Sequence, residues 1–247
     1  MELHYFPQSY WSRVISLVLQ EKALPYEGRF VDIRRNATFD PDYLKLNPRG
    51  VVPTLVDGER TLWDSLRIAE HLDQTGGPAL YTGRDDASLN ELVDELESVP
   101  VMLFSYSEWV KGKRGERSAD ILADKIERAA RYAERYPEHR ALYERKRDFF
   151  TAFREEVYDP EHVAQSIREQ HDYLDDLGER VAEGGFLAGP EYSLADAIAT
   201  SMLYRYVDLG LLDHWRKDQT HGLHGYYERL VGRPNFAAVF IDDPLIP

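Results

Sequence analysis

No cysteine occurs among the 247 residues. The chain has no thiol of its own for nucleophilic attack or disulfide exchange, so any sulfur chemistry must use a thiol that a ligand brings. Long apolar runs are missing as well: none approaches the roughly 20 residues needed to span a bilayer. The leading MELHYFPQ lacks the basic-then-apolar layout of a secretory signal. Both absences predict a cytoplasmic protein with no membrane partner. Positive charge is scarce too. The net charge is −14; residues 1–80 carry 9 basic and 11 acidic side chains, and the remainder carries 21 and 33. Nucleic-acid binding needs a positive footprint, so no nucleic-acid partner is expected. There is no glycine-rich phosphate loop. His214, His221 and His224 come without the carboxylate or cysteine that would complete a ligand set, so no metal is expected. Lys111, Lys113, Arg114 and Arg117 read as a solvated basic loop.

The chain is long enough for two modest domains. Leu3–Phe6 reads as a strand, Ser12–Lys22 as a helix with apolar Val14, Ile15, Leu17, Val18 and Leu19, and Gly28–Ile33 as a second strand. Strand, helix, strand calls for parallel pairing through a right-handed crossover. A short helix is expected over Asp40–Leu46, and Gly76, Gly77 and Pro78 mark a domain boundary. Beyond residue 85 strand signals nearly vanish. Helices are expected over Ala87–Val110, Ala119–Tyr136, Glu138–Val157, Pro160–Ala182, Leu194–Leu209, Leu223–Val231 and Asn235–Phe240. Ser193 and Asp196 read as a capping box on the fifth of these. The division predicted is residues 1–78 for a mixed α/β domain and 86–247 for an all-helical one.

Turn chemistry is densest in residues 47–73, NPRGVVPTLVDGERTLWDSLRIAEHLD. Asn47, Pro48 and Gly50 end a helix, and Val51–Val56 reads as a strand interrupted by Val52-Pro53. A strand proline cannot donate to a ladder, so it implies an edge, a bulge or a cis bond that offers the backbone to a ligand. Asp57-Gly58 is a hairpin signal leading into Thr61–Trp63. Asp64 or Ser65 then starts a helix with apolar Leu66, Ile68, Ala69 and Leu72. A helix N-terminus with an Asp-Ser pair suits a ligand with charged ends: N–H groups and hydroxyl for the anion, Asp64 for the cation.

Asn47, Pro48, Gly50, Val52-Pro53 with Leu55, Gly58 and Asp64-Ser65 together resemble the glutathione-binding half of the glutathione transferase family. The resemblance implies a thioredoxin-like α/β N-terminal domain followed by an all-α C-terminal domain. It also implies a cis Val52-Pro53 bond whose Val backbone pairs with glutathione, and a γ-glutamyl end held by Asp64 and Ser65. The helical part, with YPEHRALYERKRDFF ahead of a further long helix, is similar to bacterial members near the β-etherase and hydroquinone-dehalogenase branches and to the ganglioside-induced differentiation-associated group. Glutathione is the implied co-substrate and a homodimer the implied assembly. The lack of cysteine disfavours glutaredoxin-like reduction and the cysteine-type transferases. Glutathione is anionic, so in this acidic chain its attraction must be local, from residues such as Arg13 or Arg67.

Such a transferase must convert a bound thiol, titrating near about 8.5 when free, into a thiolate at neutral pH. The donor is expected just after the first strand. Ser9 is the first choice, because Ser9-x-x-Ser12-Arg13 matches the serine-type pattern; a helix cap is its ordinary alternative role. Tyr5 is the rival, since Leu3-His4-Tyr5-Phe6 resembles the tyrosine-type classes. For the electrophile, Met102, Tyr106 and Trp109 fall on one helical face, with Tyr10 and Trp11 as further aromatic contacts between the domains; such a stripe is equally a core pattern. The predicted reaction is attack of the glutathione thiolate on a hydrophobic, aromatic electrophile. Ether cleavage or dehalogenation of aromatic compounds, or a non-catalytic glutathione-binding protein, are the alternatives.

Overall fold

The computed structural model describes residues 1–81, 86–110, 120–181, 184–212 and 222–246, and for Trp109, Val110 and Asp120 the backbone alone. The expected basic loop of Lys111, Lys113, Arg114 and Arg117, and His214 and His221, lie outside the described residues. In chain order the elements are β1 (Glu2–Tyr5), α1 (Tyr10–Glu21), β2 (Glu27–Phe30), α2 (Pro41–Leu46), β3 (Thr54–Asp57), β4 (Arg60–Leu62) and α3 (Ser65–Thr75). The helices α4 (Ala87–Ser98), α5 (Val101–Val110), α6 (Asp120–Arg135), α7 (Arg140–Tyr158) and α8 (Pro160–Arg180) follow. α9 (Leu194–Leu209), α10 (Gly222–Val231) and α11 (Pro234–Phe240) complete the described chain.

The structure corrects two expectations. The helix expected over Ala87–Val110 is two helices, because Pro100 has no N–H to donate and drives the residue before it out of the helical region; Val99 is extended at φ −64°, ψ 127°. The strand expected from Val51 starts instead at Thr54. Pro53 cannot join the ladder, so pairing begins one residue later, with Thr54 opposite His4.

The chain forms two compact units: Met1–Val31, Val51–Val99 and His171–Pro247 in the first, Asp32–Gly50 and Pro100–Gln170 in the second. In the first, the sheet runs β2-β1-β3-β4, with β1 parallel to β2 and β3 antiparallel to both neighbours. Leu3 and Tyr5 of β1, Leu55 of β3 and the apolar face of α1 are buried. α9 is apolar nearly all round and buried along most of its length, as a central helix must be. Its N-terminus carries the capping box: Ser193 N–H and Ser193 Oγ–H both donate to Asp196 Oδ2, at 2.9 and 2.7 Å. Among the described residues no helix is long and apolar enough to cross a membrane.

In the second unit, α6 and α7 hold the segment 32–50. Phe39 and Leu44 pack with Ala129, Ala133 and Tyr143, and Tyr143 Oη–H donates to the Phe39 carbonyl at 2.6 Å. Two lysines sit in this union, Lys125 buried and Lys146 half-buried. Lys125 Nζ donates to Asn36 Oδ1 at 2.8 Å and to the Ile33 carbonyl at 3.2 Å, while Lys146 Nζ donates to the Gly50 carbonyl at 2.8 Å. Both ammonium groups lie over the Phe39 ring, at 5.8 and 4.9 Å from its centroid. Gly50 is in the left-handed region at φ +60°; a β-carbon there would stand 2.8 Å from both the Thr38 carbonyl oxygen and Lys146 Cε.

Desolvation pushes both lysines down to about 8 from their ordinary 10.5. A lysine depressed on folding binds fewer protons folded than unfolded between those two values, so its contribution to stability rises with pH through that window. Between pH 7.5 and 9.5 wild-type protein should therefore gain stability over Lys125→Met, on the order of 1 kcal/mol. Urea midpoints at the two pH values test this, and parallel pH dependence in the two proteins would contradict it.

Candidate active site

Sheet topology gathers the sequence-marked residues at one end of the first unit. β1 runs antiparallel to β3, and β3 antiparallel to β4. The exit of β1, the entry of β3 and the exit of β4 therefore lie side by side. The exit of β1 leads to Ser9, the entry of β3 is Val52-Pro53, and the exit of β4 leads to Asp64-Ser65. The Val52–Pro53 peptide is cis.

Ser9 is the N-cap residue of α1, extended at φ −74°, ψ 134°. Its N–H donates to the Phe6 carbonyl at 2.8 Å, and its own carbonyl accepts Arg13 N–H at 3.0 Å, which starts the helix. A serine here ordinarily turns its hydroxyl onto the helix's free N–H groups, but Ser9 makes no side-chain cap bond. The residue is half-buried beside a helix N-terminus whose first turn has no acidic residue, so the positive end of that helix is not offset locally.

Ser12 and Arg13 face inward. Ser12 is fully buried and its Oγ accepts the Phe6 N–H at 3.4 Å. The Arg13 guanidinium stacks on the Tyr204 and Phe240 rings at 5.0 and 4.8 Å, and its Nε donates to the Pro7 carbonyl at 2.9 Å. Both hold the loop. Arg67, the other candidate attractor, is exposed and pairs with Glu70 at 2.9 Å. Two residues of α9 reach the same loop: Arg205 Nη2 donates to the Gln8 carbonyl at 2.6 Å and Ser201 Oγ to the Tyr10 carbonyl at 3.0 Å.

Tyr5 is placed differently. It is 2% exposed, and its hydroxyl bonds both carboxylate oxygens of Asp243, at 2.9 and 2.7 Å. Burial, and then the Asp243 carboxylate, hold the phenol well above its ordinary range. To serve a thiolate this proton would have to leave a buried carboxylate.

At the third element, Asp64 is the N-cap of α3 and accepts the Arg67 N–H at 3.2 Å; Ser65 is the first helical residue. A polar cleft of about 400 Å³ opens here, lined by Asp64, Arg67, Glu70, Tyr81, Asn90 and Asp94. Burial, then Asp64 and Asp94, push the carboxyl of nearby Glu97 up, so this end of the site favours a cation. Asn90 and Asp94, one turn apart on α4, are not among the residues that the sequence singles out. Their spacing is visible there, but nothing local ties that helix face to the start of α3.

Of the aromatic candidates, Trp11 is half-buried and meets Tyr10 edge-on at 5.4 Å, while the Tyr10 hydroxyl is buried. Burial holds that phenol above its ordinary range. In the second unit Met102 is 41% exposed and Tyr106 packs edge-on against Phe153 at 5.4 Å, its phenol pushed up to about 12 by burial. The Trp109 side chain lies outside the described residues. An apolar cavity of about 230 Å³ in that unit is lined by Ser107, Val157, Tyr158, Val163 and Ile167 among others.

A mixed four-stranded sheet with helices, bearing a cis Val-Pro turn and an Asp-Ser helix start at one end and followed by an all-helical segment, is the glutathione transferase fold. Residues 8–75 match the family profile described as glutathione S-transferase, N-terminal domain, and residues 160–229 the profile described as glutathione S-transferase, C-terminal domain. The tetrachloro-p-hydroquinone reductive dehalogenase of Sphingobium chlorophenolicum is 31% identical over 241 residues, covering 96% of this chain and 94% of its own. Glutathione S-transferase TCHQD of Arabidopsis thaliana is 25% identical over 243 residues, covering 97% and 89%. Among solved structures, the β-etherase LigF from Sphingobium sp. strain SYK-6 superposes with a TM-score of 0.74 at 22% identity, covering 97% of this chain and 98% of that one. The chain belongs to the glutathione S-transferase family.

Proposed function

We propose that this family member is of serine type. Ser9 donates its hydroxyl hydrogen to the sulfur of bound glutathione, and the thiolate so stabilised attacks an electrophilic carbon of an aromatic substrate. The observation that supports this most directly is the Ser9 hydroxyl, which stands at a helix N-terminus without capping it, at the sheet end that also presents Val52-Pro53 and Asp64-Ser65. The backbone of Val52, ahead of Pro53, pairs with the cysteinyl part of the tripeptide. Asp64 and Ser65, with the acidic cleft beside them, take its γ-glutamyl end. Residues 1–78 supply this glutathione site. Residues 86–247 supply Met102, Tyr106 and Trp109 as contacts for the electrophile. The protein acts in the cytoplasm as a homodimer, which sedimentation at micromolar concentration tests.

Among reactions, halide displacement from a halogenated hydroquinone is favoured over aryl-ether cleavage. The relative at 31% identity over nearly the whole chain is named a tetrachloro-p-hydroquinone reductive dehalogenase, which points to a halogenated hydroquinone as the electrophile, whereas the β-etherase likeness, at 22%, is one of fold. The test is an ultraviolet titration of the glutathione complex together with halide release from a chlorinated hydroquinone. The bound thiol should titrate below about 8.5, the value for a free thiol. A thiol unchanged on binding would instead make this a non-catalytic glutathione-binding protein.

Tyr5→Phe separates the two donors. It should leave the titration of the bound thiol in place and lower stability by about 1–3 kcal/mol, since the buried Asp243 loses the Tyr5 hydroxyl and keeps only the Leu245 N–H among its described donors. Loss of thiolate formation in Tyr5→Phe would transfer the role to Tyr5.

A further inference from the structure

The loop carrying Ser9 is gripped at its carbonyls. The Pro7 carbonyl accepts Arg13 Nε at 2.9 Å, the Gln8 carbonyl accepts Arg205 Nη2 at 2.6 Å, and the Tyr10 carbonyl accepts Ser201 Oγ at 3.0 Å. Arg13 belongs to the helix that the loop begins, so its bond is local. Arg205 and Ser201 belong to α9, 197 and 191 positions beyond the carbonyls they hold, and sit one turn apart on it. One face of α9 thus meets the backbone on both sides of Ser9.

The Gln8 carbonyl belongs to the peptide unit whose nitrogen is Ser9 N. Fixing that carbonyl fixes the peptide plane from which the Ser9 side chain departs. An N-cap serine left to itself turns its hydroxyl onto the N–H groups of the first helical turn, and in this structure it does not. Arg205 supplies a charge-assisted bond at the short end of the normal range, from a side chain only 7% exposed. A guanidinium suits this task better than an ammonium group because its planar fork has fixed directions.

The geometry points to Arg205 as a positioning residue for thiol activation: by holding the Gln8 carbonyl it keeps the Ser9 hydroxyl off the helix and directed at the site of the sulfur. This rests on the reading of Ser9 as the donor to glutathione. In this role Arg205 acts through the Gln8–Ser9 peptide, whose carbonyl it holds. The arrangement makes the helical C-terminal part of the chain a determinant of the thiol's acidity as well as of substrate choice.

The experiment compares wild type, Ser9→Ala, Arg205→Met, Arg205→Lys and the double variant Ser9→Ala/Arg205→Met, by ultraviolet titration of bound glutathione and the pH profile of kcat/KM. Arg205→Met should raise the thiol pKa by about one unit, with the KM for glutathione changed by less than about threefold. Arg205→Lys should fall between it and wild type. In the double variant the pKa should match that of Ser9→Ala alone, because a residue acting only through the Ser9 hydroxyl has nothing left to position. Additive shifts would overturn the proposal, since Arg205 would then act by its own charge. A shifted Ser9→Ala with unshifted Arg205 variants would overturn it while leaving the Ser9 reading intact, and an unshifted Ser9→Ala would overturn both. If Arg205→Met fails to fold, Arg205→Lys carries the same comparison in the Ser9 and Ser9→Ala backgrounds.

Discussion

Ser9→Ala should raise the pKa of enzyme-bound glutathione by about one to two units and lower kcat at neutral pH by about ten- to a hundredfold. A hydrogen bond to a charged group contributes about 1.5–3 kcal/mol, and each 1.36 kcal/mol corresponds to about one pKa unit or a factor of ten in rate. The α1 N-terminus remains in the variant, so part of the thiolate stabilisation survives and activity should not fall to background. Binding of the tripeptide should hardly change, because the Val52 backbone and the Asp64-Ser65 helix start are untouched. A rise in pH should restore much of the lost rate, as the less acidic thiol then ionises without help. A rate unchanged at neutral pH, or one that stays low at pH 9, would argue against the hydroxyl as the thiolate's partner.

Asp196→Ala should destabilise the protein by about 3–5 kcal/mol, a larger loss than the substitutions at Tyr5 or Lys125 should cause. Asp196 is fully buried, and its carboxylate accepts four donors: Ser193 N–H, Ser193 Oγ–H, Leu187 N–H and the Tyr226 hydroxyl, at 2.7 to 2.9 Å. Burial alone pushes this carboxyl upward, and the four donors act against that shift. Alanine would leave all four without an acceptor inside the protein, and each unsatisfied buried group costs about 1–3 kcal/mol. Asp196→Asn keeps one acceptor oxygen and should lose about half as much. Chemical unfolding of the two variants beside wild type measures the difference. A loss below about 1 kcal/mol in Asp196→Ala would mean that water reaches those donors.

The features read correctly from sequence share a physical origin: their signals are local. The Asp57-Gly58 hairpin, the Asp64 start of α3 and the Ser193/Asp196 box are each decided within about four residues. The break at Pro100 is equally local, but the apolar pattern runs on through it and masks it; a proline inside a helical pattern outweighs periodicity. Other features leave no trace in the sequence. Lys125 and Lys146 look like surface charges by their spacing, but Lys125 is buried and Lys146 half-buried, and they donate hydrogen bonds to carbonyl groups 92 and 96 positions away. Tyr5 has the sequence context of a thiol donor, and its actual partner, Asp243, stands 238 positions away. Arg205 carries no motif, for its target is a backbone carbonyl, which has no sequence signature.

The first compact unit is assembled from three separate stretches, with Met1–Val31 and Val51–Val99 joined by His171–Pro247. During synthesis the sheet strands leave the ribosome long before α9, so the Ser9 loop is made well before the Arg205 and Ser201 side chains that grip it. At about 5–20 residues per second the interval is on the order of ten seconds or more. Through that time the face of α1 that packs on α9 has nothing to cover it. A nascent chain stalled before residue 171 should therefore expose this apolar surface to chaperones, and a fragment ending there should be prone to aggregate.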